Sequence, residues 1–279
     1  MKKYEEDEIQ VLGTSKTEHR CIWKIIAVII GCIAMIIIVV FLYLFSSNRP
    51  VEPQIEKEEP TVSEIDTLPE IQSAIKLSVD SINDVSVTIY SLKHLKAELS
   101  FELPDRNDTT VFLAVQAADI RKDNKDIVGD FVIKGKQLSK GKRKTGYCAI
   151  INGIVSLGNS INEEIKEMCI QKKGDFFRQY ALVMDGEIQE NRLKGKAIRR
   201  ALAKQNNDLY IVESKNRESL YDFSEALADF GFTQAIYLVG GSSYGWWRES
   251  RNTIHDLGLP NQPLSSNINY IVFKKLESN

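Results

Sequence analysis

The sequence is poor in the residues on which most catalytic signatures are built. It has only three histidines, His19, His94 and His255, with no metal-ligand spacing among them. It contains no GxSxG elbow, no GxxxxGK phosphate loop, no HExxH and no pair of CxxC motifs. These absences argue against an α/β-type serine hydrolase, a P-loop nucleotidase, a zincin and a zinc ribbon. A serine nucleophile at Ser242 or Ser243 would have only His94 or His255 to serve as its base. Charge of one sign is also lacking: a formal net charge of -2 argues against a dedicated nucleic-acid binder driven by counterion release. Cysteine is scarce, and of the four only Cys148 and Cys169 fall in the globular part. Two readings stay open for them, a disulfide in an oxidising compartment or a pair of buried thiols. No internal repeat is present.

What the chain does have is one long apolar run. Ile25 to Phe45 carries no charged residue, and its 21 residues would span about 31 Å as a helix, enough for a bilayer core of about 30 Å. A signal peptide has a shorter apolar stretch ending at a small-x-small site, whereas this run ends at Leu44-Phe45-Ser46-Ser47. The expectation is a single-pass membrane anchor at 25–45. Lys16, Arg20 and Lys24 precede it, which favours a cytoplasmic tail at 1–24 and an extracytoplasmic C-terminal domain, periplasmic if the cell is bacterial. Residues 46–70 are acidic and carry Pro50, Pro53, Pro60 and Pro69, the composition of an extended stalk. The remaining 71–279 has the length and composition of one exported globular domain.

Periodicity predicts the elements of that domain. A short helix is expected over Pro69 to Asp80, then strands at Val85–Ser91, Glu98–Leu103 and Thr110–Val115. The basic segment Lys134–Lys144 reads as a solvated loop, or as a surface for an anionic polymer. A strand over Tyr147–Ile151 stops at Asn152-Gly153, a second strand follows, and a helix starts near Ser160 or Asn162. Hairpins are expected to turn at Asp185-Gly186 and at Asn206-Asn207. Leu220, Phe223, Leu227 and Phe230 step by three and four along one helix face, and Gly231 stands where a left-handed cap is needed. Ala235–Val239 is a buried strand that empties into Gly240, Gly241, Ser242 and Ser243, and Asn267–Lys275 closes the domain. The fold class expected is α+β, a mixed β-sheet with two covering amphipathic helices, preceded by the transmembrane helix.

Candidate functional residues collect at strand ends. Gly153, Gly240 and Gly241 would let backbone N–H groups approach an anion or a sugar hydroxyl, with Asn152, Ser242 and Ser243 adding polar side chains. Arg199 and Arg200 offer a planar fork for phosphate, but adjacent strand residues face opposite ways, so at most one serves a site. Trp246 and Trp247 have faces on which a sugar ring could stack, or else are core residues, and Arg248 and Glu249 follow them.

In this order the residues resemble the phosphodiester glycosidase family, typified by the uncovering enzyme that removes N-acetylglucosamine from a phosphodiester on mannose. The resemblance lies in AIINGIV (149–155), RRALAKQNNDLYIVES (199–214), LADFGFTQAIYLVGGSS (227–243) and SNINYIVF (266–273), and covers about 146–275. It implies hydrolysis of a sugar phosphodiester or related glycoconjugate, with Arg199 or Arg200 holding phosphate and Asn152 and the 240–243 loop orienting the sugar. Two positions depart from the family pattern: Ile154 replaces its second glycine, and Val239 stands where its Asp-Gly-Gly loop has the acid. Glu249 is then the candidate for acid-base work, with Asp185 or Asp256 as substitutes. The alternative is a glycan-binding or structural descendant without turnover. The expected partners are the membrane and a carbohydrate or sugar-phosphate ligand, with no nucleic acid; no cofactor or metal is specified.

Overall fold

The computed structural model describes residues 74–141, 144–241, 243–250, 252–259 and 269–276, all within the unit Thr67–Asn279. It opens with β1 (Ala74–Ile82), which pairs residue for residue with β2 (Val85–Lys93). Asn83 and Asp84 join them with φ of 49° and 63°, the handedness that a two-residue hairpin loop requires. The helix expected over Pro69–Asp80 is therefore corrected to a strand from Ala74 onward. Ile75, Leu77 and Val79 alternate with Lys76, Ser78 and Asp80, a period-2 pattern that nine cross-strand partners hold extended.

The chain continues through β3 (Leu95–Ser100), β4 (Val111–Gln116), β5 (Phe131–Ile133), β6 (Lys136–Ser139), β7 (Gly146–Ile151) and β8 (Ile154–Asn159) to helix α1 (Glu164–Gln171). Then come β9 (Asp175–Gln179), β10 (Ala181–Met184), β11 (Glu187–Ile188), β12 (Arg200–Gln205), β13 (Asp208–Ser214), helix α2 (Leu220–Phe230), β14 (Gln234–Leu238), β15 (Gly245–Ser250), β16 (Thr253–Leu257) and β17 (Tyr270–Lys275). The three predicted turns at 152–153, 185–186 and 206–207 join β7–β8, β10–β11 and β12–β13.

These strands form three antiparallel sheets, ordered β1-β2-β13-β12-β14-β10-β11, β16-β15-β4-β17-β3 and β6-β5-β9-β7-β8. Strands make up 52% of the described residues and helices 10%, so the α+β expectation is corrected to a mostly β-sheet domain. The physical reason is how the core closes. Tyr90, Leu113, Val115, Phe131, Ile150, Phe177, Leu202, Ile236 and Phe273, drawn from all three sheets, meet in one buried cluster, so sheets cover sheets. The two helices cover only outer patches: α1 places Cys169 on Val132, Ala149 and Phe176, and α2 places Leu220, Phe223 and Leu227 on Leu182, Ala201 and Val212. Helix α2 has the expected ends. Ser219 Oγ accepts the Asp222 N–H at 3.0 Å, and Gly231 takes a φ of 99° at the C-cap.

The basic stretch 134–144 is not uniformly solvated as expected: β6 lies within it, and Lys144 is only 4% exposed. Cys148 and Cys169 are free, fully buried thiols, and burial pushes Cys169 up to about 11 and Cys148 well above its ordinary range. The tail, the apolar run 25–45 and the stalk lie outside the described residues. Among the described residues no helix is long and apolar enough to cross a membrane.

Candidate functional site

Strand β14 delivers a backbone to the centre of the seven-stranded sheet and stops at Leu238, where a tight loop begins. Gly240 is hemmed in by β12 and the residues before it: a Cβ there would stand 2.7 Å from Ile198 O and 3.0 Å from Arg200 N. Gly241 takes a φ of 67°, a conformation that costs any other residue strain. Ser242 lies outside the described residues. Ser243 is buried, and its Oγ donates to Gln116 Oε1 at 2.8 Å. Behind the loop, Gly258 packs so closely that a Cβ would meet Ser243 O at 2.2 Å.

Arg199 and Arg200 part company as strand geometry requires. The Arg200 side chain, fully buried, donates from Nε to Glu213 Oε2 at 2.6 Å and from Nη1 to Val239 O at 3.0 Å. Glu213 is its direct cross-strand partner and Val239 opens the glycine loop, so Arg200 ties β12, β13 and that loop together. Arg199 turns to the other face. Its Nε and Nη2 donate to Glu218 O at 2.9 Å and Gly195 O at 2.6 Å, and it also reaches the Tyr237 phenol. Burial raises that phenol above its ordinary value, while the Arg199 guanidinium and the Gly240 amide pull it back. The Tyr237 phenol thus lies within the electrostatic reach of both Arg199 and the Gly240 amide.

Next to this pair stands a group that the sequence did not single out. Lys144 is bonded to Asp119 Oδ2, donates to Gln179 Oε1 at 2.8 Å, and lies 4.9 Å above the ring of Tyr180. Tyr180 in turn meets Tyr237 edge-on at 6.3 Å. Burial lowers the Lys144 ammonium and the Asp119 carboxylate opposes it. Asp119 also raises both phenols, after burial as the larger cause, which places its charge within their reach. The Asp119 side chain keeps 34% exposure, so it is the solvent-facing acid of the cluster. A rigid frame holds it there. Asn269, fully buried, accepts Ala118 N at 2.6 Å and donates to Ala118 O at 3.1 Å. Gln116 donates to the same carbonyl at 3.0 Å while accepting from Ser243. The glycine loop and Asp119 are therefore coupled through Ser243, Gln116 and Ala118.

The remaining predicted residues sit elsewhere. Asn152 and Gly153 form the β7–β8 turn, with φ of 52° and 78°, and Gly153 O accepts from Ala97 N at 3.1 Å. Gln179 pairs with Gly146 at the other end of β7, and six residues of strand put about 20 Å between that end and Asn152. Trp246 is fully buried beside Ala114 and Tyr270, with the Arg248 guanidinium 5.7 Å from its ring. Trp247 is 5% exposed, packed edge-on to Tyr90 and stacked on His255 at 4.6 Å. Arg248 donates to Val111 O at 3.0 Å, Arg106 O at 2.6 Å and Asp108 O at 3.3 Å. Glu249 is exposed and hydrogen-bonded to His255 Nε2 at 2.8 Å. Four residues of β15 set it about 13 Å along the strand from Gly245, away from the glycine loop. The structure thus brings together Arg199, Arg200, Gly240, Gly241 and Ser243, and separates Asn152, Gly153, Trp246, Trp247, Arg248 and Glu249 from them.

Asp119, Lys144, Tyr180 and Tyr237 left little trace in the sequence, because each is a single residue in an otherwise ordinary strand end. Lys144 was masked by the five other basic residues around it. Among the described residues, no group of three or more His, Cys, Asp or Glu could hold a metal ion.

The architecture is that of a known sheet-rich fold. The zebrafish N-acetylglucosamine-1-phosphodiester alpha-N-acetylglucosaminidase catalytic domain, solved in a form auto-inhibited by its pro-peptide, is similar with a TM-score of 0.52 and 14% identity, over 78% of this chain and 87% of that one. At that identity the likeness shows a shared fold. A hypothetical protein from Synechocystis is similar at a TM-score of 0.47 and 12% identity, over 72% of this chain and 62% of that chain. No family model and no curated protein matches the sequence.

Proposed function

We propose that this chain is a glycosidase-type hydrolase acting on a sugar phosphodiester, with its reaction centre at Asp119, Lys144, Arg199, Tyr237 and the Gly240 loop. The observation that carries the proposal is the contact chain from a solvent-facing carboxylate and a buried lysine through Tyr180 to Tyr237, and from Ala118 through Gln116 to Ser243 of the glycine loop, with the buried Arg199 beside it. The zebrafish enzyme with the same fold supports it at the level of reaction class. Cleavage at an anomeric carbon builds positive charge on the sugar, which a carboxylate stabilises or relieves by activating water. Asp119 supplies that carboxylate, compensating for Val239 where the family resemblance calls for an acid. The departing phosphate is already a good leaving group. Lys144, Arg199 and the Gly240 N–H would hold its charge without needing to protonate it. An extracytoplasmic location is part of the proposal and is supported by the sequence pattern ahead of residue 46.

Purified protein should release free sugar from at least one member of a panel of sugar-1-phosphodiesters. Asp119→Asn should reduce kcat by about 100-fold or more with a small change in KM. A second reading, a glycan-binding domain without turnover, is favoured by the ion pairing of Asp119 with Lys144 and by the carbonyls that occupy Arg199. Saturable binding of the same compounds with no sugar released across the panel would establish that reading and eliminate the hydrolase.

A further inference from the structure

Beside Lys144 the surface opens into a cleft of about 480 Å³ between the 121–129 loop and residues 138–141. Its two walls are built in place. Arg121 N donates to Asp126 O at 2.8 Å and Lys125 N to Arg121 O at 3.2 Å, which fixes the loop. Ser139 Oγ donates to Ile127 O at 2.8 Å, joining the loop to β6. Asp130, 2% exposed and bonded to Arg178, accepts Gly141 N at 3.1 Å and so anchors the floor.

The lining has two chemistries. Arg121 and Lys140 bring two cations against the single carboxylate of Asp126, which is itself engaged by Asn124 Nδ2 at 2.6 Å, while Lys144 at the edge of the cleft is already paired with Asp119. Phe101 and Leu138 face the same cleft with 45% and 37% exposure, two large apolar side chains left in water side by side with that charge. Clustered exposed apolar side chains mark binding surfaces more often than isolated ones do. A neutral sugar would gain nothing from the excess of positive charge, and inorganic phosphate nothing from Phe101 and Leu138. A ligand that satisfies both is a phosphate ester whose organic group is apolar.

We propose that this cleft is a binding site for an anionic amphiphile, a phosphate monoester or diester carrying an alkyl or prenyl-like group, with the phosphate at Arg121 and Lys140 and the apolar body against Phe101 and Leu138. The inference goes beyond the hydrolase and stands without it, since it concerns binding alone. Lys144 borders this cleft and also pairs with Asp119 of the proposed reaction centre.

The test titrates the full-length protein with octyl phosphate below its micelle-forming concentration, with inorganic phosphate and octyl glucoside as separate probes. Octyl phosphate should bind saturably and about tenfold more tightly than either comparison probe. Arg121→Ala with Lys140→Ala, both exposed side chains, should weaken octyl phosphate about tenfold and flatten its salt dependence. Leu138→Ser should bring octyl phosphate down to the level of inorganic phosphate. Equal binding of inorganic phosphate would remove the apolar half of the proposal, and equal binding of octyl glucoside would remove the ionic half; either overturns it. Indifference of octyl phosphate to all three substitutions would overturn it by locating the binding elsewhere. None of these results depends on whether sugar phosphodiesters are hydrolysed.

Discussion

Replacing Arg200 with Met probes the joint between the central sheet and the glycine loop. The guanidinium is fully buried and makes two contacts, to the Glu213 carboxylate and to the Val239 carbonyl at 3.0 Å. Removing one member of a buried ion pair costs about 3–5 kcal/mol, because the other charge stays behind without a partner. Glu213 keeps 18% exposure, so water relieves part of that penalty and the lower end applies, about 3 kcal/mol. For a domain of this size the midpoint of thermal unfolding should fall by about 6–12 °C. Adding Glu213→Leu removes the stranded carboxylate and leaves only the Val239 carbonyl unpaired, a cost of about 1–2 kcal/mol. The double variant should therefore recover about half of the loss. Circular dichroism melts of wild type, both single variants and the double complete the cycle. A single-variant loss below about 1 kcal/mol, or a double variant less stable than Arg200→Met, would refute the view that the pair is a mutually dependent buried unit.

Two further outcomes follow from the same region. Gly240→Ala forces a methyl to within 2.7 Å of Ile198 O and should cost about 1–3 kcal/mol, whereas Gly241→Ala meets only Ile198 O at 4.0 Å and should cost about 1 kcal/mol from its φ of 67°. Urea titrations compare the two, and in the sugar-release assay Gly240→Ala should be the more damaging. Tyr90 is held up at about 12 from 10.0 by burial first and Glu213 second, against Arg200. Its folded value lies above its unfolded one, so its contribution is complete below pH 10 and is lost as pH rises toward about 12. The loss amounts to about 2–3 kcal/mol. Tyr90→Phe should flatten the alkaline decline in stability across that window; an unchanged slope would show that other groups govern it.

Local structure was legible wherever short-range chemistry decides it. The turns at Asn152-Gly153, Asp185-Gly186 and Asn206-Asn207 announced themselves because the positive φ found at Asn152, Gly153, Asp185, Gly186 and Asn206 favours Asn, Asp and Gly, and helix α2 did so through its apolar step and Gly231. The β1 strand was misread although the alternation of Ile75, Leu77 and Val79 with polar residues stands in the sequence; so short a segment is held extended by its pairing with β2. Strands β15 and β16 were missed for a similar reason. Trp246 and Trp247 suggest ligand stacking until their neighbours Ala114, Tyr90 and His255 are known, and these come from other strands or the facing hairpin arm.

The candidate site divides along the same line. From the residues alone came the glycine loop at 240–241 and the opposed facing of Arg199 and Arg200; that an acid is missing at Val239 came from the family resemblance. Only the tertiary structure supplied Asp119 and Lys144, which stand far from the loop in sequence and reach it through Asn269, Gln116 and Ser243. It also showed Asn152 and Glu249 at distant strand ends. Turn and helix signals are written in neighbouring residues, whereas the meeting of strand ends from three sheets is set by pairing and core closure over the whole domain.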